Sequence, residues 1–206
     1  MMKRTLLVLA IVALLTTGAF GQIVLGVTGV QYYEKDAAGN LPTLSEAWAD
    51  FKDGTGVYWG GYGEIILHKL GLGLSFNQQT YPDSVNSTYD MWNYDVNFFL
   101  SYHILGGRSL IDPFLQAGIG EMAYDYKNKA AVQAIYPDLT DDPLFGSIYY
   151  DFGLGLGVNL GGIGIFAKGM WNVQSNEPLY SQTGSFPIFS WPVMPFKWVF
   201  GAKLIL

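Results

Sequence analysis

The sequence of 206 residues contains no cysteine, which excludes disulfides, thiolate metal sites, a cysteine nucleophile and the acylated cysteine of a lipoprotein. Charged residues are scarce, at 14% against a usual share of about 25%. The 11 basic residues are outnumbered by 17 acidic ones, and this balance excludes a nucleic-acid binder that relies on phosphate contacts. Half of the residues are hydrophobic, which excludes a disordered chain.

The sequence also lacks an apolar run long enough for a transmembrane helix, which needs roughly 20 residues. Its N-terminus instead has the layout of a secretory signal peptide. Lys3 and Arg4 precede an apolar run over residues 6–15, and the small residues Ala19 and Gly21 stand at the −3 and −1 positions of a cleavage site. We therefore expect residues 1–21 to be a cleaved signal peptide and residues 22–206 to be one exported domain.

Period-two alternation of apolar and polar residues dominates the rest of the sequence. In residues 91–103, for example, Phe98 and Leu100 belong to an apolar row, and Asn93 and Asn97 belong to the opposite row. Such segments are roughly 10 to 14 residues long, whereas a tilted transmembrane strand needs about 9 to 11. Eight of them are predicted, near residues 22–32, 56–68, 70–80, 91–103, 112–126, 147–160, 162–174 and 195–206.

The connections between these segments alternate in length, and an even number of strands with this alternation is typical of an outer-membrane β-barrel. The long connections are residues 33–55, 81–90, 127–146 and 175–194, and the short ones lie around Lys69, Gly106–Gly107 and Gly161–Gly162. Aromatic residues near the long connections are expected to form an interfacial girdle. They are Tyr32, Tyr33, Tyr58, Trp59, Trp92, Tyr94, Tyr124, Tyr126, Tyr149, Tyr150, Trp171 and Trp198.

A soluble barrel with an apolar interior would show the same alternation. The polar row distinguishes the two folds, because it is rich in Gly, Asn and Ser and too neutral for a water-facing surface. We therefore predict an all-β, eight-stranded antiparallel up-and-down barrel whose apolar row faces lipid. The charges of the polar row then form a paired network inside the barrel, made of Glu64, Asp95, Asp151, Lys168, Lys197 and Lys203. Glu121 is expected to join them through a bulge, because its position in the alternation otherwise puts it on the side of Leu115, Ala117 and Ile119.

Two segments resemble motifs of a known family. Residues 113–120 read PFLQAGIG, and residues 198–206 form an amphipathic terminal strand. The family is the small eight-stranded outer-membrane barrels of the OmpA/OmpW-like superfamily. The first segment looks like the Pro-aromatic-x-x-x-Gly-x-Gly motif in the fifth strand of that family. The second is similar to its C-terminal signal, which the barrel-insertion machinery reads. That family usually ends in Phe, whereas this chain ends in Leu206. The resemblance implies a monomer in the bacterial outer membrane.

The residues do not favour catalysis. His68 and His103 are the only histidines, and both are expected at strand ends beside short turns, away from the outer leaflet where a lipid A-modifying barrel holds its His/Ser pair. Ser101 and His103 point the same way on one strand without a necessary hydrogen bond. No Gly-x-Ser-x-Gly or His-Glu-x-x-His motif is present, and no loop has the Asp-x-Asp-x-Asp-Gly spacing of a calcium site. We expect no enzyme, no metal and no cofactor.

The first long connection contains a capping box, Thr43 to Glu46, which predicts a short helix carrying Trp48 and Phe51. Residues 186–195 are apolar and rich in proline, and they include Phe189 and Trp191. Either these two regions pack together or they form a binding or gating cluster. The leading hypothesis is a structural or surface-interaction protein with a filled lumen whose loops bind an external ligand. The alternative is a narrow OmpW-like channel for small hydrophobic molecules or ions, with this cluster at its entrance, and a third hypothesis is a lipid A-modifying enzyme.

Overall fold

The chain forms a closed barrel of eight strands, each antiparallel to its neighbours, with the last strand paired to the first. A computed structural model describes residues 21–33, 40–54, 56–81, 90–135, 137, 145–178 and 196–206. The strands are β1 (Gly21–Tyr33), β2 (Tyr58–Leu67), β3 (Leu70–Tyr81), β4 (Met91–His103), β5 (Ile111–Tyr126), β6 (Phe145–Leu160), β7 (Ile163–Pro178) and β8 (Phe196–Ile205). The predicted fold class is confirmed, with the largest boundary difference at the end of β7.

Short connections over residues 68–69, 104–110 and 161–162 lie at one rim, which we call the turn side, and the opposite rim is the loop side. In outer-membrane barrels the turn side is periplasmic. The two-residue turn between β2 and β3 places His68 in the left-handed region, with φ of 60°. His68 is exposed, so it lies outside the barrel interior.

The two rows of each strand have opposite environments. On β3, Leu70 and Leu74 are 63% and 54% exposed, whereas the intervening Gly71 and Gly73 are buried. The same division on the other strands leaves an outer wall of leucine, isoleucine, valine and phenylalanine around an interior that contains every buried acidic or basic side chain of the described residues. A wall of this kind is stable only in hydrocarbon, because water would leave a very large apolar patch exposed.

Glu121 lies on the outer side of β5, contrary to the expectation that a bulge would turn it inward. The pairing of β5 with β6 is continuous from Ile111 to Tyr124, so Glu121 keeps the side of Leu115 and Ile119. The aromatic girdle also needs correction, because Tyr58 and Tyr149 are 5% and 0% exposed and lie inside the barrel. Tyr58 lies in the same inward row of β2 as Glu64, and Tyr149 lies in the same inward row of β6 as Asp151.

Inward glycines leave room for large side chains from neighbouring strands. A Cβ atom on Gly73 would overlap the ring of Phe99, and one on Gly155 would overlap the ring of Phe114. A barrel of eight strands has an interior just wide enough for its side chains, so small and large residues must alternate across it.

Gly60 and Gly63 of β2 allow a matched test of this packing. A Cβ on Gly60 would overlap the backbone of Phe76 and Asn77, whereas one on Gly63 would meet only Leu25 Cδ2 at 3.6 Å. We expect Gly60→Ala to lower the free energy of unfolding by about 1–3 kcal/mol, the usual cost of overpacking, and Gly63→Ala to leave it nearly unchanged. Urea unfolding in lipid vesicles measures both. Equal free energies for the two variants would contradict this close approach.

The described parts of the long connections contain two helices, α1 (Leu44–Asp53) and α2 (Lys129–Ile135). Helix α1 begins at the predicted capping box, in which the Thr43 backbone N–H donates to Glu46 Oε2 at 2.7 Å and the Glu46 N–H donates to Thr43 Oγ1 at 3.3 Å. It ends at Gly54, whose φ of 71° suits glycine. Of the helices in the described part of the chain, none is long and apolar enough to cross a membrane.

Candidate functional site

The barrel interior holds two groups of polar side chains. The loop-side cluster consists of Asp95, Asn97, Tyr149, Asp151 and Lys197. The turn-side cluster consists of Glu64, Ser101, His103, Asp112 and Lys203. All ten residues are less than 9% exposed, so neither cluster is screened by bulk water.

Lys197 organises the loop-side cluster. Its Nζ atom lies 2.7 Å from Asp151 Oδ2 and 4.5 Å from the centre of the Tyr149 ring. The Tyr149 hydroxyl donates to Asp95, and Asn97 Nδ2 donates to both the Tyr149 hydroxyl (3.0 Å) and Asp151 Oδ2 (2.9 Å). Since these residues come from β4, β6 and β8, the cluster links strands across the lumen.

Asp112 organises the turn-side cluster. Its Oδ2 atom accepts from Lys203 Nζ at 3.0 Å, and its Oδ1 atom lies 2.9 Å from His103 Nδ1. On the other side of the imidazole, His103 Nε2 lies 3.1 Å from Ser101 Oγ and 3.2 Å from Glu64 Oε1. The Ser101 hydroxyl donates to Glu64. Four strands therefore meet at one buried ionic group.

The six charged residues that the sequence placed inside the barrel are all buried, and the structure adds Asp112 and His103 to them. Sequence reasoning placed His103 at the rim and assigned it no partner, although it belongs to the same row as Asp95 and Asn97. That row was the signal that places it inside. Asp112 precedes Pro113 at the start of β5, where the alternation is too short to assign a side.

Lys168 lies between the two clusters, near the aromatic rings that fill the middle of the barrel. Its Nζ atom donates to Gln116 Oε1 at 2.8 Å and lies 5.1 Å from the centre of the Phe99 ring. Tyr62 and Phe114 pack against Phe166 with ring centres 5.4 Å and 6.4 Å apart. This aromatic layer separates the loop-side cluster from the turn-side cluster.

The hydrogen bonds of His103 suit an imidazolium. Ser101 donates its only proton to Glu64, so both oxygens beside His103 Nε2 act as acceptors, and Asp112 is the acceptor for Nδ1. When both ring nitrogens of His103 carry a proton, the described interior has four buried carboxylates and four buried cations, namely three lysines and His103. A buried network of this kind is stable only when its charges are compensated.

Ser101, His103 and Asp112 have the order of contacts found in a serine hydrolase triad, and the Ser101–His103 contact was not expected from the sequence. Two features oppose catalysis. The Ser101 hydroxyl donates to Glu64 rather than to His103, and the cavity beside Ser101 has a volume of only about 20 Å³. A second interior cavity, beside Asp95 and Asp151, is about 10 Å³. Each holds no more than about one water molecule.

Helix α1 packs on the outer wall of the barrel rather than over its mouth. The Phe51 ring lies 4.9 Å from the ring of Phe200 and 5.1 Å from that of Trp59, and the Trp48 ring lies 5.2 Å from that of Phe200. Phe200 and Trp59 belong to the outward rows of β8 and β2. Trp48 and Phe51 therefore do not line an entrance. Phe189 and Trp191, the other predicted members of their cluster, lie outside the described residues.

No group of three or more acidic or histidine side chains within the described ranges is arranged to hold a metal ion. The cluster around His103 places its carboxylates on opposite sides of the imidazole, which uses both ring nitrogens. These side chains therefore satisfy one another.

Comparison with known proteins finds similar solved structures but no similar sequence. No protein-family model and no curated protein sequence matches the chain. Among solved structures, it is similar to the N-terminal β-barrel domain of Pseudomonas aeruginosa OprF, with a TM-score of 0.50 and 13% identity over 90% of this chain and 97% of that one. It is also similar to Neisserial surface protein A, with a TM-score of 0.47 and 11% identity over 89% of this chain and 96% of the other.

At these identities the likeness concerns the fold, and the lipid-facing wall gives the location independently, because a closed barrel with an apolar exterior fits a bilayer. The chain therefore has the architecture of the small eight-stranded β-barrels of the bacterial outer membrane.

Proposed function

We propose that this protein is a non-enzymatic outer-membrane barrel with a closed interior, whose role is structural or is exerted through its surface loops. The observation that supports it most is the packing of the interior, where the described residues of the ionic clusters and the aromatic layer line cavities of only about 20 and 10 Å³. A hydrated ion needs a continuous aqueous path, and rigid paired charges serve instead to hold the strands together.

The proposal includes export and assembly. Residues 1–21 direct secretion. Residues 1–20 lie outside the described part of the chain, and Gly21 is the first residue of β1, where it pairs with Leu67 of β2. The terminal strand is read by the barrel-insertion machinery, and the folded chain is a monomer in outer-membrane lipid. An external partner binds through the loops.

Single-channel recording in planar bilayers tests the closed lumen. Folded protein is expected to give no conductance steps, because the aromatic layer and both ionic clusters block the axis. A wide porin inserted into the same bilayers provides the positive control, and resistance of the folded barrel to unheated detergent on a gel shows that the sample is native. Reproducible steps from native protein would support the narrow-channel alternative instead.

A further inference from the structure

A groove lies between helix α1 and the outer wall of the barrel. Its volume is about 530 Å³, within the range of about 300–1,000 Å³ that is usual for ligand sites. We call it the lateral groove. Its walls include Val27, Leu44, Trp48, Ile165, Phe200 and Ala202. Almost all of its surface is apolar, so it offers no partners to a polar ligand.

The groove continues along the strands toward the turn side. A second apolar hollow of about 640 Å³ shares Val27, Ile165 and Ala202 with it and extends to Leu160 and Leu204 near the turn-side rim. The combined depression is therefore elongated along the barrel wall. The small side chain of Ala202 forms part of its floor, with Val27 and Ile165 directly beside it on the two neighbouring strands.

Helix α1 is held in place as one side of this groove. Phe51 packs into the space left by Gly29 on β1, and Trp198 Nε1 donates to the Pro42 carbonyl at 3.4 Å just before the helix. Leu44 and Trp48 remain 49% and 47% exposed on the groove side. The helix is therefore a fixed wall whose apolar side chains are only half covered by protein.

We propose that the lateral groove binds one acyl chain of an outer-leaflet lipid, held between helix α1 and strands β7, β8 and β1. The groove is continuous with the lipid-facing wall, so hydrocarbon is the medium that reaches it. With the adjoining hollow it is elongated along the strands, and its lack of polar groups excludes a peptide backbone, whose amides would be left unpaired. Helix α1 makes this place different from the rest of the wall, because it adds a second apolar surface.

Photo-crosslinking in defined vesicles tests the proposal. The protein is folded into phosphatidylethanolamine/phosphatidylglycerol vesicles that contain a trace of phospholipid with a diazirine on its acyl chain, and mass spectrometry maps the labelled peptides. We expect peptides from α1 and β8 to be labelled several-fold more than those from β3, whose Leu72 and Leu74 also face lipid. Equal labelling of the two walls would overturn the proposal.

Two alanines provide the matched variants. Ala202→Phe fills the groove, whereas Ala117→Phe makes the same change on the outward row of β5, on the opposite side of the barrel. We expect a several-fold loss of labelling on α1 with Ala202→Phe and no change with Ala117→Phe. If Ala202→Phe does not fold, Trp48→Ala removes the helix side of the groove without altering a strand and is expected to give the same loss. Labelling that survives in Ala202→Phe or Trp48→Ala, or a dimer that covers this wall and excludes lipid, would contradict the assignment.

Discussion

Replacement of Lys197 by methionine is expected to lower the free energy of unfolding by about 3–5 kcal/mol, the usual effect of removing one member of a buried ion pair. Lys197 is 4% exposed and contacts Asp151 at 2.7 Å. Methionine preserves much of the side-chain volume, so the loss reports mainly on charge. Without the ammonium group, Asp151 is left buried beside Asp95, and both carboxylates keep the desolvation penalty that Lys197 offset.

Urea unfolding in lipid vesicles, followed by tryptophan fluorescence and by gel migration, measures this loss. The double variant Lys197→Met/Asp151→Asn is expected to recover part of it, because the orphaned charge is removed. Lys129→Met is the matched control, since its ion pair with Asp125 (3.2 Å) is partly exposed, and it should change stability by less than about 1 kcal/mol. If Lys197→Met and Lys129→Met had similar effects, Lys197 would not hold the barrel together.

The second large effect is expected for Asp112→Asn. This carboxylate is 0% exposed and serves two cationic partners, Lys203 and His103. Asparagine has the same shape but no charge, so both partners lose their nearest compensation on that side. We expect a loss of about 3–5 kcal/mol in the free energy of unfolding.

Ser101→Ala is the control for Asp112→Asn, because it removes the hydroxyl of the triad-like arrangement but no charge. It leaves Asp112 bonded to His103 and Lys203, so its expected cost is smaller, about 1–3 kcal/mol for a hydrogen bond to a charged group. Under a structural role, neither variant alters the lipid A of cells that carry it. A change in lipid A with Ser101→Ala at unchanged stability would favour the enzyme hypothesis instead.

These effects have a common origin in the reversed polarity of the protein. A soluble domain gains stability from an apolar core, whereas the apolar side chains of this barrel face lipid in the folded state. The interior must therefore be held by side-chain hydrogen bonds, ion pairs and aromatic packing between strands. Backbone pairing closes the ring, and the two ionic clusters connect strands across it.

Much of the fold followed from local sequence. Strand geometry turns successive side chains to opposite faces, so the alternation in residues 91–103 assigned Asp95 to one face and Phe98 to the other. The scarcity of charge in the polar row then indicated which face meets lipid. The assignment of Glu121 to the interior, which required a bulge, was wrong because the register between β4 and β5 is unbroken.

The sequence by itself determined the strands, their faces and the capped helix α1, because each depends on residues within a few positions of one another. Only the tertiary structure decided which interior charges meet. Asp112 reaches Lys203 across 91 positions of sequence, and His103 reaches Glu64 across 39, because barrel closure fixes the stagger between strands. The same holds for Trp48 and Phe51, whose partner Phe200 becomes adjacent to α1 only when β8 pairs with β1.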